Sequence, residues 1–170
     1  MKSRKFSFIL ALTLLVFTLL SCRDPLPRDY REAAFFAEIR YEYGGEVFCA
    51  DVNVGAPSET GGERDIEMKF TSPPSLSGLC VSEKDGYSRV ILGSAEVKSE
   101  TAADRFLFTA HLLIHEGNMK FTEKTVEDGL TIYKAEIFSA DKTISLLLDS
   151  NGIPKLLSYD DIIITVIRFK

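Results

Sequence analysis

The feature that most constrains this chain is an alternation of apolar and polar residues that is interrupted only by short turn signals. Residues 34–54 carry it in its clearest form, as two alternating runs on either side of Gly44-Gly45. That glycine pair can take the positive φ angles a two-residue hairpin turn requires. If Tyr43 faces Glu46, the register follows: Tyr41 faces Phe48, Ile39 faces Ala50, Ala37 faces Val52 and Phe35 faces Val54, all on one side of the ribbon. The other side carries Glu38, Arg40, Glu42, Asp51 and Asn53 together with Phe36, Val47 and Cys49. This is the pattern of an antiparallel sheet with one face packed and one face wet.

The rest of the chain continues the theme with one exception. Residues 56–63 are rich in Gly, Pro, Ser and Glu and read as a loop. Residues 65–70 alternate again, with Ile66, Met68 and Phe70 inward, and Pro73-Pro74 stops that strand. Residues 79–82 and 87–92 form a further pair through Lys84-Asp85-Gly86, and 95–98 add a short strand. The exception is 102–116, where Phe106, Leu107, Ala110, Leu113 and Ile114 recur at helical spacing between a capping Thr101 and a stop at Gly117. Phe108 and Leu112 widen the apolar stripe, so this long helix should lie covered by the apolar face of the sheet. Strands then return at 119–124, 130–138, 143–148, 155–159 and 162–169, with a tight turn at Asn151-Gly152. Residues 162–167 are apolar on both faces, which predicts an interior strand covered on each side. The expected class is α+β, mostly β: a curved antiparallel sheet covered by one long helix.

The amino terminus reads differently. Cations at Lys2, Arg4 and Lys5 precede an apolar run over 6–20 and a small Ser21, the three parts of an export signal over residues 1–21. The run is about fifteen residues, shorter than the roughly 20 a membrane-crossing helix needs. Leu19-Leu20-Ser21-Cys22 resembles the lipobox of bacterial lipoproteins. That resemblance implies a diacylglyceryl group on the Cys22 sulfur, cleavage on its amino side and a place on the extracytoplasmic face of a membrane. Two or three acyl chains, each methylene adding roughly 0.8 kcal/mol, hold far more firmly than one. Residues 22–32 then form the lipidated cysteine and a tether, and 33–170 a single domain. Pro25 and Pro27 among charges predict an extended spacer over 23–31, able to reach about 30 Å. Removing three signal cations from the chain's 20 leaves 17 against 25 acidic residues, a formal charge of −8. Such a surface does not seek nucleic acid or anionic headgroups. Cys49 and Cys80 are the other cysteines, and an exported compartment permits a disulfide between them without requiring it.

Candidate chemistry is thin. His111 and His115 share a helix face at the spacing of two metal ligands, but the chain holds no third histidine, and Leu112 stands where the zinc-protease pattern needs glutamate. Ser139 and Lys142 match the spacing of acyl-enzyme hydrolases, yet they span a turn between strands rather than opening a buried helix. Asp149, Asp160 and Asp161 belong to turns without the ligand density of a calcium loop. Glycine-rich phosphate loops and paired-cysteine metal motifs are absent, so neither a cofactor nor an enzymatic activity is expected. What remains is a large apolar content, which either fills a core or lines a cavity between sheet and helix.

The order of hairpin, helix and closing strands resembles the LolA and LolB-like superfamily of lipoprotein carriers, which includes the mycobacterial lipid-binding lipoproteins. The carrying residues are the hairpin 35–54, "MKFTSPPSLSGLCV" at 68–81, and "LLLDSNGIPKLL" at 146–157, similar to the family's D-x-x-G-x-P hairpin. The resemblance implies an unclosed half-barrel whose mouth is plugged by helix and whose cavity takes acyl chains. Position by position, Phe35, Ile39, Tyr41 and Phe48 would line the wall, and Leu107 and Leu113 the lid. The chain departs from that family in being lipidated itself, in showing no clear match to the exposed-leucine loop of LolB, and in having one helix where several are frequent. The function so implied is a membrane-anchored module binding a lipid or other hydrophobic ligand; the alternative is a structural or protein-interaction lipoprotein with a filled core.

Overall fold

A computed structural model describes residues 26–58, 64–84, 86–99, 104–138 and 143–170. In chain order its strands are β1 (Phe35–Tyr43), β2 (Glu46–Val54), β3 (Ile66–Ser72), β4 (Cys80–Lys84), β5 (Tyr87–Leu92) and β6 (Ala95–Ser99). A helix, α1 (Asp104–Leu113), follows, and then β7 (Asn118–Glu127), β8 (Leu130–Phe138), β9 (Thr143–Asp149), β10 (Pro154–Tyr159) and β11 (Ile162–Phe169). Short 3-10 turns occupy Tyr30–Glu32 and Pro74–Leu76. The strands form one open 11-stranded sheet in the order β6-β5-β4-β3-β2-β1-β11-β10-β9-β8-β7, and every neighbouring pair is antiparallel. Two meanders, β1 to β6 and β7 to β11, are thus joined through the β1–β11 seam, and α1 connects the two outer edges.

The β1–β2 register is the one the alternation dictates, from Tyr43 opposite Glu46 to Phe35 opposite Val54. Gly44 and Gly45 have φ of +62° and +83°, the paired left-handed conformation of a type I′ turn. One face collects the core: Ala37 and Ile39 of β1, Ala50 and Val52 of β2, Met68 and Phe70 of β3, Ile137 of β8, Ile144 and Leu148 of β9, Leu157 of β10 and Ile164 of β11. Burying that much aliphatic surface, at roughly 25 cal/mol per Å², is what sets the sheet's register.

Two expectations fail. The helix is not long: α1 covers 10 residues and ends at Leu113, where the apolar spacing predicts 102–116. Residues 101–103, with the expected cap Thr101, lie outside the described residues. Its last turn is consumed because the chain must leave for β7, and the carbonyls beyond Leu113 are taken by side chains from the amino-terminal segment. Nor is β11 covered on both sides. It is interior to the sheet, yet Ile163 and Ile167 stand 52% and 54% exposed, because the one described helix lies against the opposite face.

Candidate functional site

Alternation along β1 and β2 delivers the expected wall residues to the interior. Ile39 and Tyr41 are buried, and Phe48 is half-buried, stacked on Tyr41 at 5.1 Å between ring centroids and 14° between planes. Phe35 lies at the far end of β1, stacked on Phe169 at 5.1 Å and edge-on to Tyr30. The lid residues Leu107 and Leu113 are both fully buried. α1 is seated by Phe106 edge-on to Phe70 of β3, by Phe108 against Tyr159 of β10, and by Thr109, whose hydroxyl donates to the Met68 sulfur at 3.8 Å. Burial pushes the Tyr41 phenol up to about 12, only partly opposed by a hydrogen bond with Thr109. These six residues therefore face one apolar interior between sheet and helix, with Phe35 and Phe48 at opposite ends of it.

Open space lies at the rim. A cleft of about 720 Å³ at the carboxyl end of α1 is bordered by Asp29, Arg31, Arg64, His111 and Ile114. A second, of about 740 Å³, is bordered by Phe35 and by outward residues such as Phe36, Asn53, Glu67 and Arg89. Neither is bordered by Ile39, Tyr41, Phe48, Leu107 or Leu113.

At the first cleft the amino-terminal segment is locked to the domain, which sequence reasoning missed. Tyr30, buried, donates its hydroxyl to the Leu113 carbonyl at 2.8 Å, capping the end of α1. Arg31 donates to both oxygens of Asp29 and to the carbonyls of His115 and Gly117. Arg64 closes the arrangement by donating to the carbonyls of Arg31, Ala33 and Gly55. Burial pushes the Asp29 carboxyl upward, but the hydrogen bonds and charge of Arg31 outweigh it and hold the group below its ordinary value. Upstream, the Arg28 carbonyl sits so close to Gly152 (φ +81°) that a Cβ there would collide with it. Of the residues 23–31 expected to be a spacer, 28–31 are thus docked. The signal was Tyr30, an aromatic ring in an otherwise charged stretch.

The remaining candidates scatter. His111 faces Glu83 at 3.1 Å, and among the described residues no group of three or more His, Cys, Asp or Glu could hold a metal. Cys22, Ser139 and Lys142 lie outside the described residues. Asp149 accepts from the backbone of Asn151 and Ile153 and pairs with Lys155, fixing the β9–β10 turn, while Asp160 takes a positive φ in the next turn. Cys49 and Cys80 are free thiols on β2 and β4. With β3 between those strands, and Cys80 level with Asp51 rather than Cys49, they stand more than about 10 Å apart, beyond a disulfide's reach.

No protein-family model and no curated protein matches the sequence. Solved structures of similar fold do. An uncharacterized conserved protein from Thermus thermophilus aligns with a TM-score of 0.54 at 14% identity, over 82% of this chain and 78% of that one. MucB aligns with a TM-score of 0.51 at 14% identity over 82% of this chain, which spans only 54% of MucB. A LolA superfamily protein from Nitrosomonas europaea aligns over 84% of this chain and 87% of its own at 12% identity, with a TM-score of 0.39. At these identities the likeness is one of fold alone: a mostly β, open antiparallel sheet.

Proposed function

We propose that this chain is an exported lipoprotein held on the extracytoplasmic face of a membrane by lipid on Cys22, and that its half-barrel binds a lipid or another hydrophobic ligand beneath α1. The observation that supports the ligand reading is convergence: Ile39 and Tyr41 from the sheet and Leu107 and Leu113 from the helix meet in one apolar interior. The cover over it is a single helix of 10 residues, seated by its buried Leu107, Ala110, Leu112 and Leu113, by ring contacts and by an end cap. Acyl chains would enter by displacing α1 from the sheet, with the rim cleft at its carboxyl end as the opening. The apolar lining suits a chain-like guest, and the few polar groups at the rim suit its head.

A second reading has its own support. All four of those side chains are buried and packed, so a filled core with a protein partner on the outer sheet face fits the same packing. A fluorescent fatty acid separates the two. Saturable binding that weakens at least tenfold in Phe48→Lys, chosen because Phe48 is half-buried at the edge of the interior, supports the cavity; no saturable binding by the parent protein refutes it. The anchor has a separate test: Cys22→Ala should abolish labelling by radioactive palmitate and release the protein from membranes, and unchanged labelling would overturn that half of the proposal.

A further inference from the structure

The amino-terminal segment does more than connect. Its docking at residues 28–31 fixes the point at which the chain leaves the domain, beside Gly152 in the β9–β10 turn. From Cys22 to Arg28 is six residue steps, at most about 20 Å of extended chain. A lipid-bearing Cys22 therefore holds this part of the surface close to the bilayer. The β7–β8 hairpin turns at the same end of the sheet: Ile132 of β8 pairs with Asp149 of β9, and Leu130, two residues nearer the turn, pairs with Glu127 of β7. Leu130 is 69% exposed and Val126, on the other arm of that hairpin, 66%. Leu26, on the segment itself, is 64% exposed. Asp128 and Gly129, with φ of +51° and +78°, form the tight turn, and because Val126 pairs with Thr131 and Leu130 with Glu127, the two aliphatic side chains stand on opposite faces of the hairpin's end. Leu26 on the departing segment and Val126 and Leu130 on the hairpin at the same end of the sheet are thus uncovered, and the length of chain left over decides what they meet.

We infer that the β7–β8 tip is a second membrane contact: Val126 and Leu130, with Leu26, seat in the interfacial layer of the bilayer that carries the Cys22 lipid, fixing the domain with its β1–β2 turn pointing away. The inference rests on the lipidation proposed above. The surface takes neutral phospholipid rather than anionic headgroups, because Asp128 lies in the turn with Glu127 beside it and the mature chain is acidic. The β1–β2 turn is the natural control. It lies the length of the nine-residue β1, about 30 Å, from the docked segment, and carries an equally exposed aromatic, Tyr43, at 62%.

The chain contains no tryptophan, so one introduced at an exposed site is a unique depth reporter. Full-length protein, processed and lipidated in a bacterial host, is reconstituted into phosphatidylcholine vesicles with or without bromine on the acyl chains. Leu130→Trp should lose at least half its fluorescence in brominated vesicles, whereas Tyr43→Trp should keep it. Flotation and the mass of the amino-terminal peptide are read on the same samples. Protein that floats and carries the lipid but shows no quenching of Leu130→Trp, or equal quenching of both reporters, overturns the membrane contact and leaves the anchor standing. Protein that neither floats nor carries lipid overturns both.

Discussion

Arg31 shows how much one side chain can hold when it reaches several acceptors at once. Its guanidinium spans the Asp29 carboxylate and two carbonyls beyond the end of α1, and its own carbonyl receives Arg64. Charge-assisted bonds of this kind contribute more than neutral ones, so Arg31→Ala should cost about 2–3 kcal/mol and lower the melting temperature by several degrees. Asp29 beside it and Tyr41 in the interior define two pH limits. Asp29 titrates below its unfolded value of 3.8 in the folded state, so its contribution is whole above that value and is lost as pH falls through the depressed one. Tyr41 behaves in the opposite sense. Its phenol is raised from 10.0 to about 12, so its contribution is whole below pH 10 and is lost between 10 and 12, a loss of about 3 kcal/mol. Burial raises the Tyr30 phenol further still, so unfolding followed by circular dichroism against pH should show an alkaline loss above pH 10 that shrinks in Tyr41→Phe while the share due to Tyr30 remains; a loss unchanged in Tyr41→Phe would assign it elsewhere.

At the scale of elements, the sequence was most legible where periodicity and turn chemistry agreed. The β1–β2 hairpin came out in its full register because Gly44-Gly45 fixed the turn and five inward pairs had to match. β8 and β11 appeared with the bounds their composition suggested. The helix was overdrawn, since apolar spacing over 102–116 records which residues are covered, not where the backbone stops winding. Its end is set by Tyr30 and Arg31, more than 80 residues earlier in the chain, a tertiary decision that no local window contains. The docked segment was misread for a related reason: prolines and charges look solvated until the carbonyls and carboxylates that receive them are in place. The wall residues were legible as inward-facing, but whether they border a void was not, because alternation reports the face and not the fit. Gly152 offers a direct check on the docking. Gly152→Ala adds both a left-handed strain and a collision with Arg28, and should accelerate proteolysis within 26–31 by an order of magnitude while the sheet's dichroism stays intact. Unchanged cleavage would mean the segment is held without that contact.

For the molecule as a whole, eleven strands in one unclosed sheet leave two edges, β6 and β7, and each is treated differently. β6 is short, five residues, and presents Glu96 and Lys98, while β7 carries an irregularity between Phe121 and Glu123, both features that discourage strand addition. The stability of the whole depends on the seam between the two meanders, where Ile39 faces Val166 and Tyr41 faces Ile164. Ile164→Ala, at a fully buried position on that seam, should cost about 2–5 kcal/mol, and a mutant as stable as the parent would show that the halves hold together by other means. The same seam has a temporal meaning. Every other strand pairing joins neighbours in the chain, but β1 must wait for β11, so its second partner is synthesised last. Until β11 is made, each meander can zip locally from hairpin to hairpin, but nothing clasps the first to the second.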